Sequence, residues 1–198
     1  LIIVNKSSKT NNNNMSSGMQ IVQAKNFDTD SVSFSDPRVN TYGGKSVYLN
    51  YNRKPLVIQT EELTCQWGLS TFTPKDGGDP KYSMDLSFRG FETNPKIAAL
   101  LNKLKELDTK MVETAVENSL PWFTKKNLKA DVVDEMLYNK TVRYSRDKET
   151  GELVTKWPPT WKIKIPYREG RCSTCFYDED RQEIEMENIH DDLPNVLT

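Results

Sequence analysis

Between Tyr82 and Ala115 the hydrophobic period of the chain changes once, and that change limits the fold more than any other feature. Tyr82, Met84, Leu86 and Phe88 alternate with Ser83, Asp85, Ser87 and Arg89, the two-residue period of a half-buried strand. Asn94 then offers an N-cap, and Pro95 fills the first helical position, where its missing N–H costs no hydrogen bond. Ile97, Leu100, Leu101, Leu104, Leu107, Met111 and Ala115 follow at spacings of three and four, so an amphipathic helix is expected over about 95–118.

Strand signals lie on both sides of this helix. Upstream, Val47, Leu49 and Tyr51 alternate with polar or aromatic neighbours, Leu56-Val57-Ile58-Gln59 begins a second strand, and Leu63, Cys65, Trp67 and Leu69 define a third. Downstream, a shorter helix is expected over about 129–137, burying Val132, Val133, Met136 and Leu137. Strands resume at Thr141–Ser145, turn at Asp147-Lys148-Glu149-Thr150-Gly151 and return over 153–156. Trp161, Ile163 and Ile165 alternate with Lys162 and Lys164, and a last hairpin is expected from Phe176 to Met186. Strands, then helices, then strands predict a mainly β fold with α+β character, a β-barrel with a helical insertion.

The ends read differently from the middle. Residues 1–44 are rich in Ser, Asn, Thr, Asp and Gly and read as a low-complexity, mostly disordered tail, in which Ile21-Val22, Phe27 and Phe34 could still pack. The folded domain is expected over 45–198, and Asp191–Thr198 reads as a loop entering a strand that is cut off.

Little in the residue inventory suits catalysis. His190 is the single histidine, so Ser-His, Cys-His and multi-His mechanisms all depend on one residue near the end. Gly43-Gly44-Lys45-Ser46 resembles the end of a phosphate-binding loop, but Val39 stands where that loop needs glycine. Cys172 and Cys175 have the spacing of half a zinc site, with only Cys65 and His190 left to complete it, so ordinary reduced cysteines are expected and no cofactor. A mean hydropathy of −0.70 and the absence of a long apolar run argue against a membrane span.

The net charge of −1 conceals a division. Asp178, Glu179, Asp180, Glu183, Glu185, Glu187, Asp191 and Asp192 are opposed only by Arg181, so the 178–192 tract carries −7 and the rest of the chain +6. Nine of the bases crowd into 140–171 against Asp147, Glu149, Glu152 and Glu169. Tyr138, Tyr144, Trp157, Trp161 and Tyr167 are interleaved with them. A groove that follows a phosphate backbone while bases stack on rings needs this mixture; an ordinary solvated sheet face would also account for it. Lys162 and Lys164 share one face of their strand, whereas Trp161 falls with Ile163 and Ile165 on the core side.

Leu56-Val57-Ile58-Gln59-Thr60, Trp67-Gly68, Tyr82-Ser83-Met84-Asp85-Leu86-Ser87-Phe88, Trp122-Phe123, Val142-Arg143-Tyr144-Ser145 and the run from Pro158 to Pro166 together give a further clue. Over roughly 45–198 the chain resembles a single-stranded-DNA-binding family of the nucleocytoplasmic large DNA viruses, itself similar to T7-type phage proteins with an OB-fold. The resemblance implies an OB-like barrel and a non-catalytic role in viral DNA replication or recombination, in the host cytoplasm (viral factory) or nucleus, or in the virion. In such phage proteins the acidic tail is terminal and docks replication partners; here the acidic tract precedes the expected last strand. On this reading Arg143, Lys156, Lys162 and Lys164 contact phosphates, Tyr144 and Trp157 stack on bases, and Arg89 and Arg146 add to them. Viral replication proteins would meet the 178–192 tract. The competing expectation is a viral structural or protein-interaction module on the same scaffold, with an exposed apolar patch in place of a basic groove.

Overall fold

The computed structural model describes residues 2–5, 21–189 and 193–196, with side chains over 21–189. His190, Asp191 and Asp192, and the 6–20 part of the expected tail, lie outside the described residues. The chain is a mixed α/β protein with many short strands and few helices. It divides into two compact units: Leu1–Met15, Thr60–Ala98 and Val142–Thr198 form the first, Ser16–Gln59 and Ala99–Thr141 the second.

The first unit is built on the strand Lys81–Ser87. Thr160–Ile165 pairs antiparallel along it, from Tyr82 opposite Ile165 to Ser87 opposite Thr160. Its other edge takes Leu69–Phe72 and, through Ser87 opposite Thr64, Leu63–Cys65. Val142–Arg143 lies outside Thr160–Ile165, and Leu193–Val196 outside Leu63–Cys65. The alternation in the sequence becomes a division of faces. Met84 and Leu86 have no exposed surface, and Val142 and Ile165 join them at 2% and 4%. Each such side chain contributes on the order of 2 kcal/mol by leaving water.

The order of strands runs from Val142–Arg143 to Leu193–Val196 without returning, so the sheet is open among the described residues. A barrel needs its two edges to pair with a fixed stagger, and among the described residues these edges, of two and four residues, do not pair with each other. The expected hairpin near the end of the chain is present, with Phe176 opposite Ile184. The expected strand through Leu63 and Leu69 is two strands. Gly68, at φ 55, turns the chain between them and leaves Trp67 exposed. The return strand expected at 153–156 is a single bridge from Leu153 to Arg146.

The long helix, α1, spans Pro95–Glu117 and carries the chain from the first unit into the second. Asn94 caps it as expected, its side-chain oxygen accepting the Lys96 N–H at 3.0 Å. In the second unit Val112, Ala115 and Val133 form a buried cluster, with Trp122, Phe123, Leu128 and Tyr138 packed against it. The shorter helix, Ala130–Val132, passes into a π-type turn over Val133–Leu137, closed by the Tyr138 N–H on the Val133 carbonyl at 2.9 Å. A π turn spends extra residues per turn, so positions three and four after Val133 leave its face. Met136 and Leu137, expected to be buried, are exposed.

Within the segment 1–44, positions expected to be able to pack do so. Ile21–Gln23 pairs parallel with Val57–Gln59, Phe27 stacks 5.7 Å from Tyr51, and Val22, Ala24, Phe27 and Val32 are buried. Among the described residues no helix is long and apolar enough to cross a membrane.

One buried and one half-buried acid set an alkaline limit on stability. Burial pushes the Cys65 thiol above its ordinary 9.0, and its S–H donates to the Gly68 carbonyl at 3.5 Å. Burial, and then the bond to Asp108, push the Tyr138 phenol above its ordinary 10.0. Both stay protonated in the folded chain at pH values where the unfolded chain ionises. The folded state then binds more protons, and stability falls as pH rises. The urea midpoint should therefore drop between about pH 8 and about pH 10.5, and a flat profile would contradict the burial of both groups.

Candidate nucleic-acid interface

The sheet of the first unit has a polar face opposite Met84 and Leu86. Strand register places Thr160, Lys162 and Lys164 on it, opposite Ser87, Asp85 and Ser83, with Arg143 beside Thr160. The same face continues to Lys81 and to Ser70 and Phe72 of the neighbouring strand. Lys162 and Lys164 are two residues apart, about 7 Å along the strand. Their electrostatics differ. The Lys162 ammonium donates to the Asp85 carboxylate at 2.8 Å and lies 3.5 Å from the Ser83 hydroxyl, with 31% of its side chain exposed. Lys164 is exposed and faces only the serine across the ladder.

A second group gathers at the end of the sheet where Thr160–Ile165 begins. The Phe88 N–H donates to the Pro159 carbonyl at 3.0 Å, which extends the ladder and brings Arg89 to the same end as Pro158 and Trp157. Trp157 is 57% exposed, and the Lys156 ammonium sits 5.1 Å from its ring centre. Arg143 and Tyr144 leave the sheet at this end too, since Arg143 pairs with Thr160. Arg146 turns inward on its own hairpin, donating to the Gly151 carbonyl at 2.9 Å. Asp147 holds that turn. Its carboxylate accepts the Thr150 and Glu149 N–H groups, which keep its pKa below the usual range.

Register thus brings Arg143, Lys162 and Lys164 onto one face and Arg89, Tyr144, Lys156 and Trp157 to one end of it. Trp161 lies with Ile163 and Ile165 on the other face and is half-buried. Sequence reasoning passed over Phe72 and Lys81. Phe72 is 61% exposed, with the Lys81 ammonium 6.0 Å from its ring centre. Alternation from Leu69, which lies opposite Met84, puts Ser70 and Phe72 on the face of Ser83 and Lys81.

The other candidates resolve simply. Cys175 is buried and Cys172 half-buried, and among the described residues no group of three or more His, Cys, Asp and Glu converges on a metal position. Within the acidic tract, Asp178 accepts the Gln182 N–H at 2.8 Å and shapes the turn, while Glu179, Asp180, Glu183, Glu185 and Glu187 are exposed. Comparison with protein-family models, curated proteins and solved structures finds no match to this chain.

Proposed function

We propose that the chain binds single-stranded DNA with little sequence preference, as a non-catalytic accessory of viral DNA replication or recombination. The observation that carries this reading is the polar sheet face, where Lys81, Lys162, Lys164 and Arg143 share one surface with exposed Phe72, and Asp85 pairs with Lys162. Cations supply the salt-dependent contact with phosphates, and an aromatic beside them accepts any base, because every base has a π-face. The open sheet is, on this reading, part of an OB-like barrel. The route of the chain supports it: after Lys81–Ser87 the chain forms α1 and the short helices, then rejoins the same sheet at Val142–Arg143. The exposed acids from Glu179 to Glu187 are the surface for basic viral replication proteins.

Fluorescence polarisation with single-stranded DNA, duplex DNA and single-stranded RNA at two salt concentrations tests the proposal. Single-stranded DNA should bind tightest, and log K should fall with log salt by about 0.7 per phosphate contact. Absence of salt-sensitive binding would favour the protein-interaction module instead. Trp157→Ala should weaken binding by roughly tenfold while leaving the salt slope unchanged, because a stacking contact releases no counterion.

A further inference from the structure

The second unit carries a basic, aromatic β-arm that the 140–171 charge cluster does not include. Residues 32–55, the hairpin and the turn after it, contain Arg38, Lys45, Arg53 and Lys54 against one acid, Asp36. The root of the arm is a hairpin from Val32 opposite Tyr51 to Phe34 opposite Leu49, and both Val32 and Tyr51 are buried. The Ser35 N–H on the Tyr48 carbonyl continues the ladder, and after an irregularity Arg38 pairs with Ser46 and Val39 with Lys45.

The tip is fixed, and its largest side chain has no place in the core. The Asn40 side-chain oxygen accepts the Tyr42 and Gly44 N–H groups at 3.0 and 2.8 Å. The Asn40 and Gly44 backbones close the loop at 2.8 Å, and Gly43 takes φ 80. Tyr42 is 95% exposed on this ordered turn. Folding gains almost nothing from a ring in that position, whereas a stacked base would cover it. Behind it the Arg38 guanidinium lies 5.6 Å from the ring centre of exposed Tyr48.

A second turn, at the root end of the arm and so at the opposite end from Tyr42, also carries a cation. Tyr51 pairs with Lys54 across a two-residue turn, with Asn52 at φ 49 and Arg53 at φ 66. Asn-Gly is the favoured pair in such a turn, and a side chain in the left-handed region is strained. A cation therefore stands where glycine would fold more easily.

We propose that this arm is a second contact for single-stranded nucleic acid, with Tyr42 stacking on a base and Arg38 and Arg53 meeting phosphates. It rests on the same functional reading but on a different unit, so the two are separable. The test uses the full chain and a dye-labelled oligothymidylate of about 20 nucleotides, longer than one OB-fold site. Tyr42→Ala should weaken binding about tenfold with an unchanged salt slope, and Tyr42→Phe should restore it. Arg38→Ala combined with Arg53→Gly should lower the slope by about 1.4. Arg53→Gly alone should keep or raise Tm while weakening binding, which loss of folding cannot imitate. If these variants bind like wild type while Lys162→Ala with Lys164→Ala binds less, the arm is not a contact and the sheet face stands. If the arm variants lose affinity and the sheet variant does not, the arm stands alone. If the wild-type chain binds no oligonucleotide, both fall.

Discussion

Asp108→Ala is expected to destabilise the chain by about 3 kcal/mol, a large share of the roughly 5–15 kcal/mol that holds a domain folded. Asp108 lies on the helical stretch of α1 within the second unit and is only 7% exposed. Its Oδ1 accepts the Tyr138 hydroxyl at 2.6 Å and the Thr141 N–H at 2.9 Å. Both are hydrogen bonds to a charged acceptor, worth about 1.5–3 kcal/mol each before the gain from no longer burying the carboxylate. Alanine leaves the half-buried Tyr138 hydroxyl and the Thr141 N–H to seek other partners. Asp108→Asn keeps an acceptor in place and should cost about 1 kcal/mol, whereas Tyr138→Phe takes one of the two donors from the charge and should cost about 1.5–3 kcal/mol. Urea unfolding of the three variants checks the order. An alanine variant no weaker than the asparagine one would mean that the carboxylate does not join these segments.

Asp108 also shows where the sequence stops being legible. Its place on the apolar side of α1 is readable from the helical period, four residues after Leu104 and three before Met111, but what satisfies a carboxylate there is not. Its partners are 30 and 33 residues away, on a segment past the short helix. Local rules worked where the physics is local. The Asn94 cap, the alternation in Lys81–Ser87 and the shared face of Lys162 and Lys164 follow from neighbouring residues alone. They failed where a distant partner or an unusual turn decides. That Val22 and Phe27 could pack was legible, but not their partners: Val57–Gln59 supplies a parallel strand for one and the Tyr51 ring lies beside the other. Trp67 continues an alternation that Gly68 has already ended. The π turn at Val133 moves Met136 and Leu137 off the face that α-helical spacing assigns them. For the candidate interface, the lysine row was legible and Asp85 was visible within it, but not the ion pair, since the cross-strand register that sets Asp85 opposite Lys162 is a tertiary fact.

That ion pair makes the two lysines unequal and gives the DNA-binding proposal its sharpest test. Lys162→Ala with Lys164→Ala should lower single-stranded-DNA affinity by more than tenfold and the salt slope by about 1.4, as two phosphate contacts are lost. Lys162 must share or exchange its 2.8 Å contact with Asp85 to reach a phosphate, so part of its charge is already spent. The pair is partly exposed and itself contributes little to stability, about 0–1 kcal/mol, so breaking it should not unfold the sheet. Asp85→Asn should therefore act in the opposite direction to the lysine substitutions. It removes a negative group from the face of Lys81, Lys162, Lys164 and Arg143, frees the Lys162 ammonium, and should tighten binding several-fold with a slope steeper by up to about 0.7. Lys162→Ala alone leaves the Asp85 carboxylate facing the DNA without its partner, and should cost more than Lys164→Ala in affinity at low salt. A double-mutant cycle between positions 85 and 162 reads this coupling directly. If Asp85→Asn weakens binding, or leaves affinity and slope where they were, phosphates do not run along this face and the proposed interface is wrong.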